Sequence, residues 1–148
     1  MRGRTFAAAL AGMVWLLAAT SPASAGEKVW SGLVVATNVP RPRPPPPEMH
    51  RLEGTLRRTF GYNQFELIGH SHKALQSGQE NWLASSKHFS LRVHPRGASG
   101  RGYRMNLQVF QDKQVLLETD ATLRKSSPLV IRGPQVGSGQ LLLLLLVQ

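Results

Sequence analysis

The sequence has no cysteine among its 148 residues. That absence excludes a disulfide scaffold, a thiolate zinc finger and a cysteine nucleophile. Acidic side chains are scarce too, 8 Asp and Glu against 18 Lys and Arg, for a formal net charge of +10. Of the acids, Glu80, Asp112, Glu118 and Asp120 show no pairing that suggests a two-carboxylate glycosidase. Aromatic residues are few, and Trp30, Phe65, Phe89 and Tyr103 fall on apolar faces of the pattern, so nucleic acid is not an expected partner. The chain is also too short for the larger two-domain or barrel enzymes.

The first 25 residues read as a secretory signal peptide. Arg2 and Arg4 form a positive start, Phe6 to Ala19 is a 14-residue apolar run, and Ala23-Ser24-Ala25 is a small-x-small cleavage signal after Pro22. The run falls short of the roughly 20 residues that cross a bilayer as a helix. No cysteine follows for lipidation, and Gly3 between the arginines rules out a twin-arginine signal. The expected address is therefore secreted or periplasmic, with cleavage after Ala25 and no transmembrane span afterwards. Residues 26–148 are expected to form one β-rich domain containing a proline-rich connection at 40–47. Arg2 and Arg4 leave with the leader, so this part keeps 16 basic and 8 acidic side chains, a net +8. A domain of this size buries roughly two-thirds of the surface its unfolded chain exposes, enough to fold without disulfides.

Hydrophobic period organises the rest. Val29 to Thr37 is β-branched and apolar, a strand buried on much of both faces. Pro40 to Pro47 cannot enter a ladder or a helix interior and predicts an extended polyproline segment. Met49, Leu52, Leu56 and Phe60 then lie on one helical stripe from Glu48 to Phe60, with Arg57 and Arg58 in the last turn and Gly61 as the stop. Gly54 weakens that helix by about 1 kcal/mol relative to alanine. From Phe65 onward the period is two. Strands are expected from Phe65 towards Ala74, from Phe89 to His94, from Tyr103 to Phe110 and from Val115 to Arg124, with Ser90, Arg92, Arg104, Asn106, Gln108, Glu118 and Asp120 on a wet face. Leu129-Val130-Ile131 precedes a glycine-rich stretch, Gly133 to Gly139, expected to be a flexible connection rather than a phosphate loop, since it lacks the lysine and hydroxyl residue. Leu141 to Leu146, bounded by glycine and the end of the sequence, predict a central strand covered on both faces. The fold class expected is α+β: a mainly antiparallel sheet of about six or seven strands with one packed amphipathic helix. A β-sandwich with a helical insertion is the alternative.

Three constellations carry chemistry. Ser71 stands in Gly69-His70-Ser71-His72-Lys73, where Lys73 replaces the second glycine of a nucleophile elbow, so no catalytic set is expected. His70 and His72, two apart, would share a strand face and could reach one metal ion, but spacing selects no third ligand. Arg96, Arg101 and Arg104 surround one glycine-rich turn, Arg92 sits on the wet face of the adjoining strand, and Arg41 and Arg43 ride on the proline segment; guanidinium forks match phosphate and carboxylate. The reading is a non-enzymatic exported envelope protein, without cofactor, that binds an anionic envelope polymer or another envelope protein through a basic face. Two alternatives are an assembly subunit that pairs through its C-terminal strand, in an oligomer, and a metal-assisted hydrolase built on His70 and His72.

Overall fold

Strand β1 (Lys28–Thr37) sends Val29, Leu33 and Val35 to one side and Trp30, Val34 and Ala36 to the other. Both sides are dry, and two separate apolar clusters form on them. The computed structural model describes residues 28–76, 78–100, 102–125 and 127–148; the expected signal peptide and cleavage site at Ala25 lie outside the described residues.

Strand β1 is followed by a 3-10 turn at Pro47–Met49, helix α1 (Glu53–Phe60), and strands β2 (Gln64–Ala74), β3 (Asn81–Ser85), β4 (Phe89–Ser99), β5 (Gly102–Gln111), β6 (Gln114–Leu123), β7 (Leu129–Val136) and β8 (Gly139–Val147). The first sheet has the order β2-β1-β8-β7 and the second the order β3-β4-β5-β6, with every pairing antiparallel. β2 touches β3 at one side of the sandwich and β6 touches β7 at the other. Each strand thus neighbours its sequence neighbours, and β8 closes on β1. Apart from the long β1–β2 connection that holds the proline segment and α1, the links are short and reverse the chain at each step, so successive strands run in opposite directions.

Among the described residues the six or seven strands expected become eight, in two sheets rather than one. Asn81–Ser85 is the additional strand, and the glycine-rich stretch is a correction of a second kind. Gly133 to Val136 belong to β7, and only Gly137 and Ser138 form the turn before β8. Gly137 takes a φ of 61°, which a two-residue hairpin turn requires and glycine adopts without strain.

The leucine strand has the double coverage its uninterrupted apolarity demands. Leu141, Leu143 and Leu145 meet Leu91, Val93, Leu107 and Val109 of the second sheet. Leu142 and Leu144 face Met49, Leu52 and Leu56. The molecule is therefore a stack of helix, first sheet and second sheet. The helical stripe holds, although its continuity does not: His50 (φ −55°, ψ −36°) and Leu52 (φ −100°, ψ −23°) join the 3-10 turn to α1 without a continuous ladder. Glu53 and Arg57 pair at 2.6 Å one turn apart on its exposed side.

The proline segment is an exposed crossover that borrows side chains for hydrogen bonds. The Val39 N–H donates to Asn63 Oδ1 at 2.9 Å, Asn63 Nδ2 donates back to the Val39 carbonyl at 2.8 Å, and the Arg43 N–H donates to Gln64 Oε1 at 3.1 Å.

One polar group ties the sheets together. The β3–β4 ladder slips between Trp82 and Ser85, which deprives the Ala84 N–H of a strand partner. That N–H instead donates across the sandwich to Ser31 Oγ at 3.0 Å, and Ser31 Oγ also bonds Ser71 Oγ at 2.8 Å. Ser31 and Ala84 are fully buried. Ser31→Ala is expected to destabilise the fold by about 2 kcal/mol, because it leaves a buried donor unsatisfied. Ser71→Ala, which leaves the Ser31–Ala84 bond in place, should lose well under half of that. Urea unfolding of the two variants measures the difference, and equal losses would mean that Ser31 is not the tie.

Candidate functional site

On the outer face of the second sheet aromatic, basic and acidic side chains meet. In β4, Leu91 and Val93 point into the core, so Ser90, Arg92 and His94 point outward; in β5, Met105, Leu107 and Val109 point inward and Arg104, Asn106, Gln108 and Phe110 outward. Register then sets the rows across the strands. Trp82 lies opposite Arg92, Arg92 opposite Gln108, and Gln108 opposite Glu118. The next row is His94, Asn106 and Asp120, and the row after that contains Arg104 and Thr122.

At one end of this face sits an aromatic cluster. Trp82 is 49% exposed, its ring 5.3 Å from that of Phe110. The Arg92 guanidinium stacks over both rings, 5.4 Å from Trp82 and 4.8 Å from Phe110. Its Nε donates to Gln108 Oε1 at 2.8 Å, its second terminal nitrogen reaches the same oxygen, and Nη1 pairs with Glu80 at 3.3 Å. Arg92, expected to bind anions, is committed instead to holding Trp82, Phe110 and Gln108 in place. Sequence reasoning missed Trp82 altogether, although it is a lone aromatic in a polar stretch.

At the other end lie Arg96 and Arg104, which line one open pocket of about 270 Å³ with Thr122, Met105, Ala121 and Asp120. Asp120 accepts from Asn106 Nδ2 at 3.0 Å. Among the described residues neither arginine forms an ion pair. Arg124 borders the neighbouring pocket with Thr122 and Ser127. Arg101, expected in the same group, lies outside the described residues.

The remaining two arginines are elsewhere. Arg43 lines a pocket with Pro44, Pro46 and the first residues of β2. β2 ends where β3 begins, β3 ends where β4 begins, and Arg96 is near the end of β4, so Arg41 and Arg43 sit at the opposite end of the strands from Arg96 and Arg104. The five described arginines of this set do not converge on one basic face.

His70 and His72 share the helix-side face of the first sheet, as their spacing requires. Their rings are 6.4 Å apart and edge-on, His70 lies 6.4 Å from the Trp30 ring, and His72 Nδ1 is 2.8 Å from Gln148 Oε1. Among the described residues no group of three or more His, Asp or Glu comes together as a metal site. Ser71 points the other way, into the Ser31 contact, so no histidine stands beside its hydroxyl as a base. His72 does help line a pocket of about 510 Å³ with Trp30, Pro47, Glu48, Arg51 and Leu146 to Gln148. The strand that an assembly subunit would donate, β8, is hydrogen-bonded on both edges within its own chain. Among the described residues no helix is long and apolar enough to cross a membrane.

The sequence matches no family model, and neither a curated protein nor a solved structure is significantly similar to it.

Proposed function

We propose that the chain is a non-enzymatic binding module, exported by its N-terminal leader, that captures an anionic polymer of the cell envelope through Arg96 and Arg104. One observation carries this reading: two arginines from adjacent strands line a single open pocket with Thr122 and Asp120, and neither forms an ion pair among the described residues. Guanidinium groups so placed offer paired donors to a phosphate or carboxylate. The net +8 of residues 26–148 adds long-range attraction for a polyanion.

The test is the double variant Arg96→Gln/Arg104→Gln titrated with polyphosphate and with polygalacturonate at several salt concentrations. Binding by the unaltered protein should weaken steeply with salt. The double variant should bind both polymers about tenfold more weakly, from roughly 0.5–1 kcal/mol per exposed charge contact. Unchanged affinity would remove the electrostatic reading.

A further inference from the structure

We propose that the polymer is a polysaccharide bearing carboxylate groups, with a sugar ring stacked on Trp82 and its acid groups at Arg96 and Arg104. This rests on the basic-pocket reading above and adds to it the chemical class of the ligand.

A sugar ring presents an apolar C–H face and a rim of hydroxyls. It therefore calls for a flat aromatic surface flanked by planar polar side chains. Trp82 supplies the surface: it is half exposed, while its strand neighbours Asn81, Leu83 and Ala84 are buried. Phe110 and Arg92 brace its ring, so the stacking surface is ordered before any ligand arrives. Gln108, whose amide is oriented by Arg92, and the exposed carboxylate of Glu118 follow in the same cross-strand row. Asp120 follows in the next row.

The two ends belong to one surface. Arg104 and Gln108 project from the same side of β5, four residues apart, about 14 Å at ~3.4 Å per residue. A short oligosaccharide spans that distance, with neutral hydroxyls at the aromatic end and carboxylates at the basic end. Of the acids on this face, Asp120 lines the basic pocket itself, where it accepts from Asn106 Nδ2, and the others lie in the Trp82 row. Glu80 pairs with Arg92 beside Trp82, and Glu118 closes the same row on β6; along this row a carboxylate accepts from hydroxyls but repels a phosphate backbone, which disfavours nucleic acid. A protein partner fits less well, because among the described residues the large exposed apolar side chains are only Trp82 and Val115. The core of a protein interface is apolar and poor in charge.

The purified full chain is titrated with oligogalacturonate, with its methyl ester, with polyphosphate and with a single-stranded oligonucleotide, read by calorimetry and tryptophan emission. Oligogalacturonate should shift the emission to the blue through Trp82, which is exposed whereas Trp30 is buried, and Trp82→Ala should remove that shift and leave any contribution of Trp15 unchanged. Trp82→Ala should weaken oligogalacturonate about tenfold, the scale of one aromatic stacking contact, and leave polyphosphate affinity unchanged. Gln108→Ala, on the surface and unable to disturb the core, should weaken oligogalacturonate by a smaller factor. The methyl ester should bind weakly yet still depend on Trp82. If both variants bind oligogalacturonate as the unaltered chain does while Arg96→Gln/Arg104→Gln weakens both polyanions, this proposal is overturned and the basic-pocket reading stands. If the arginine variant changes neither polyanion, both fall. Oligogalacturonate that does not bind, or an oligonucleotide that binds more tightly and through Trp82, also overturns the polysaccharide assignment.

Discussion

Removal of residues 140–148 is expected to abolish folding. Leu141 to Leu145 are each fully buried. At roughly 1.5–3 kcal/mol per leucine buried, the five contribute about 10 kcal/mol, which is the size of the whole stability of an ordinary domain. The deletion also strips β1 and β7 of their common partner, leaving two rows of backbone groups unpaired, and it opens both apolar clusters to water. Circular dichroism should show loss of the sheet signal, and thermal denaturation should show no cooperative transition. A shortened chain that still melted cooperatively as a monomer would mean that β8 is dispensable to its own fold, and a donated-strand assembly would return as the better reading.

That strand also shows how far the sequence could be read. Leucine alone favours helix, but a short apolar run closed by glycine and lacking any polar phase is satisfied only where both faces are covered. The same logic makes β1 and β8 the sheet's most buried members with the helix over one face, and Met49, Leu52 and Leu56 do pack against residues of both strands. β3 was not legible. Its exposure follows no alternation, because the ladder slips between Trp82 and Ser85, and Asn81 turns inward to bond the loop at Gln76 and Gln79. Such side-chain use of a loop is a tertiary outcome that no local period records.

The site was half legible for a related reason. Counting arginines located Arg96 and Arg104 correctly on either side of one hairpin, since neighbours in a hairpin are neighbours in space. It could not show that Arg92 is spent on Trp82, Phe110 and Gln108, because those contacts depend on cross-strand register, and this sheet shifts register between Pro95 and Gly97 and between Val109 and Phe110. A one-residue slip turns every side chain to the other face. Nor could it separate Arg41 and Arg43 from the rest, since their place depends on how many times the chain reverses between Gln64 and Ser99.

The second large effect is expected from a single methyl group. At Gly69, in the middle of β2, an added Cβ would lie 2.1 Å from the Ser85 carbonyl oxygen and 2.7 Å from its carbonyl carbon. Both are backbone atoms of β3, so no flexible side chain can swing aside; β2 and β3 would have to separate where the two sheets meet. Separation would strain the Ser31–Ala84 bond, which spans the same junction, and would loosen Leu83 and Ala84 in the shared core. Gly69→Ala should therefore destabilise the fold by about 3 kcal/mol, the upper part of the usual range for overpacking. For a domain of this size that lowers the melting temperature by roughly 10 °C. Gly54→Ala is the matched control. It adds the same methyl group in α1, where nothing lies within 4 Å, and should stabilise the helix by up to about 1 kcal/mol. Opposite shifts in two thermal melts would trace the loss to the β2–β3 contact, whereas a Gly69→Ala protein as stable as the original would mean that the sheets do not approach each other there.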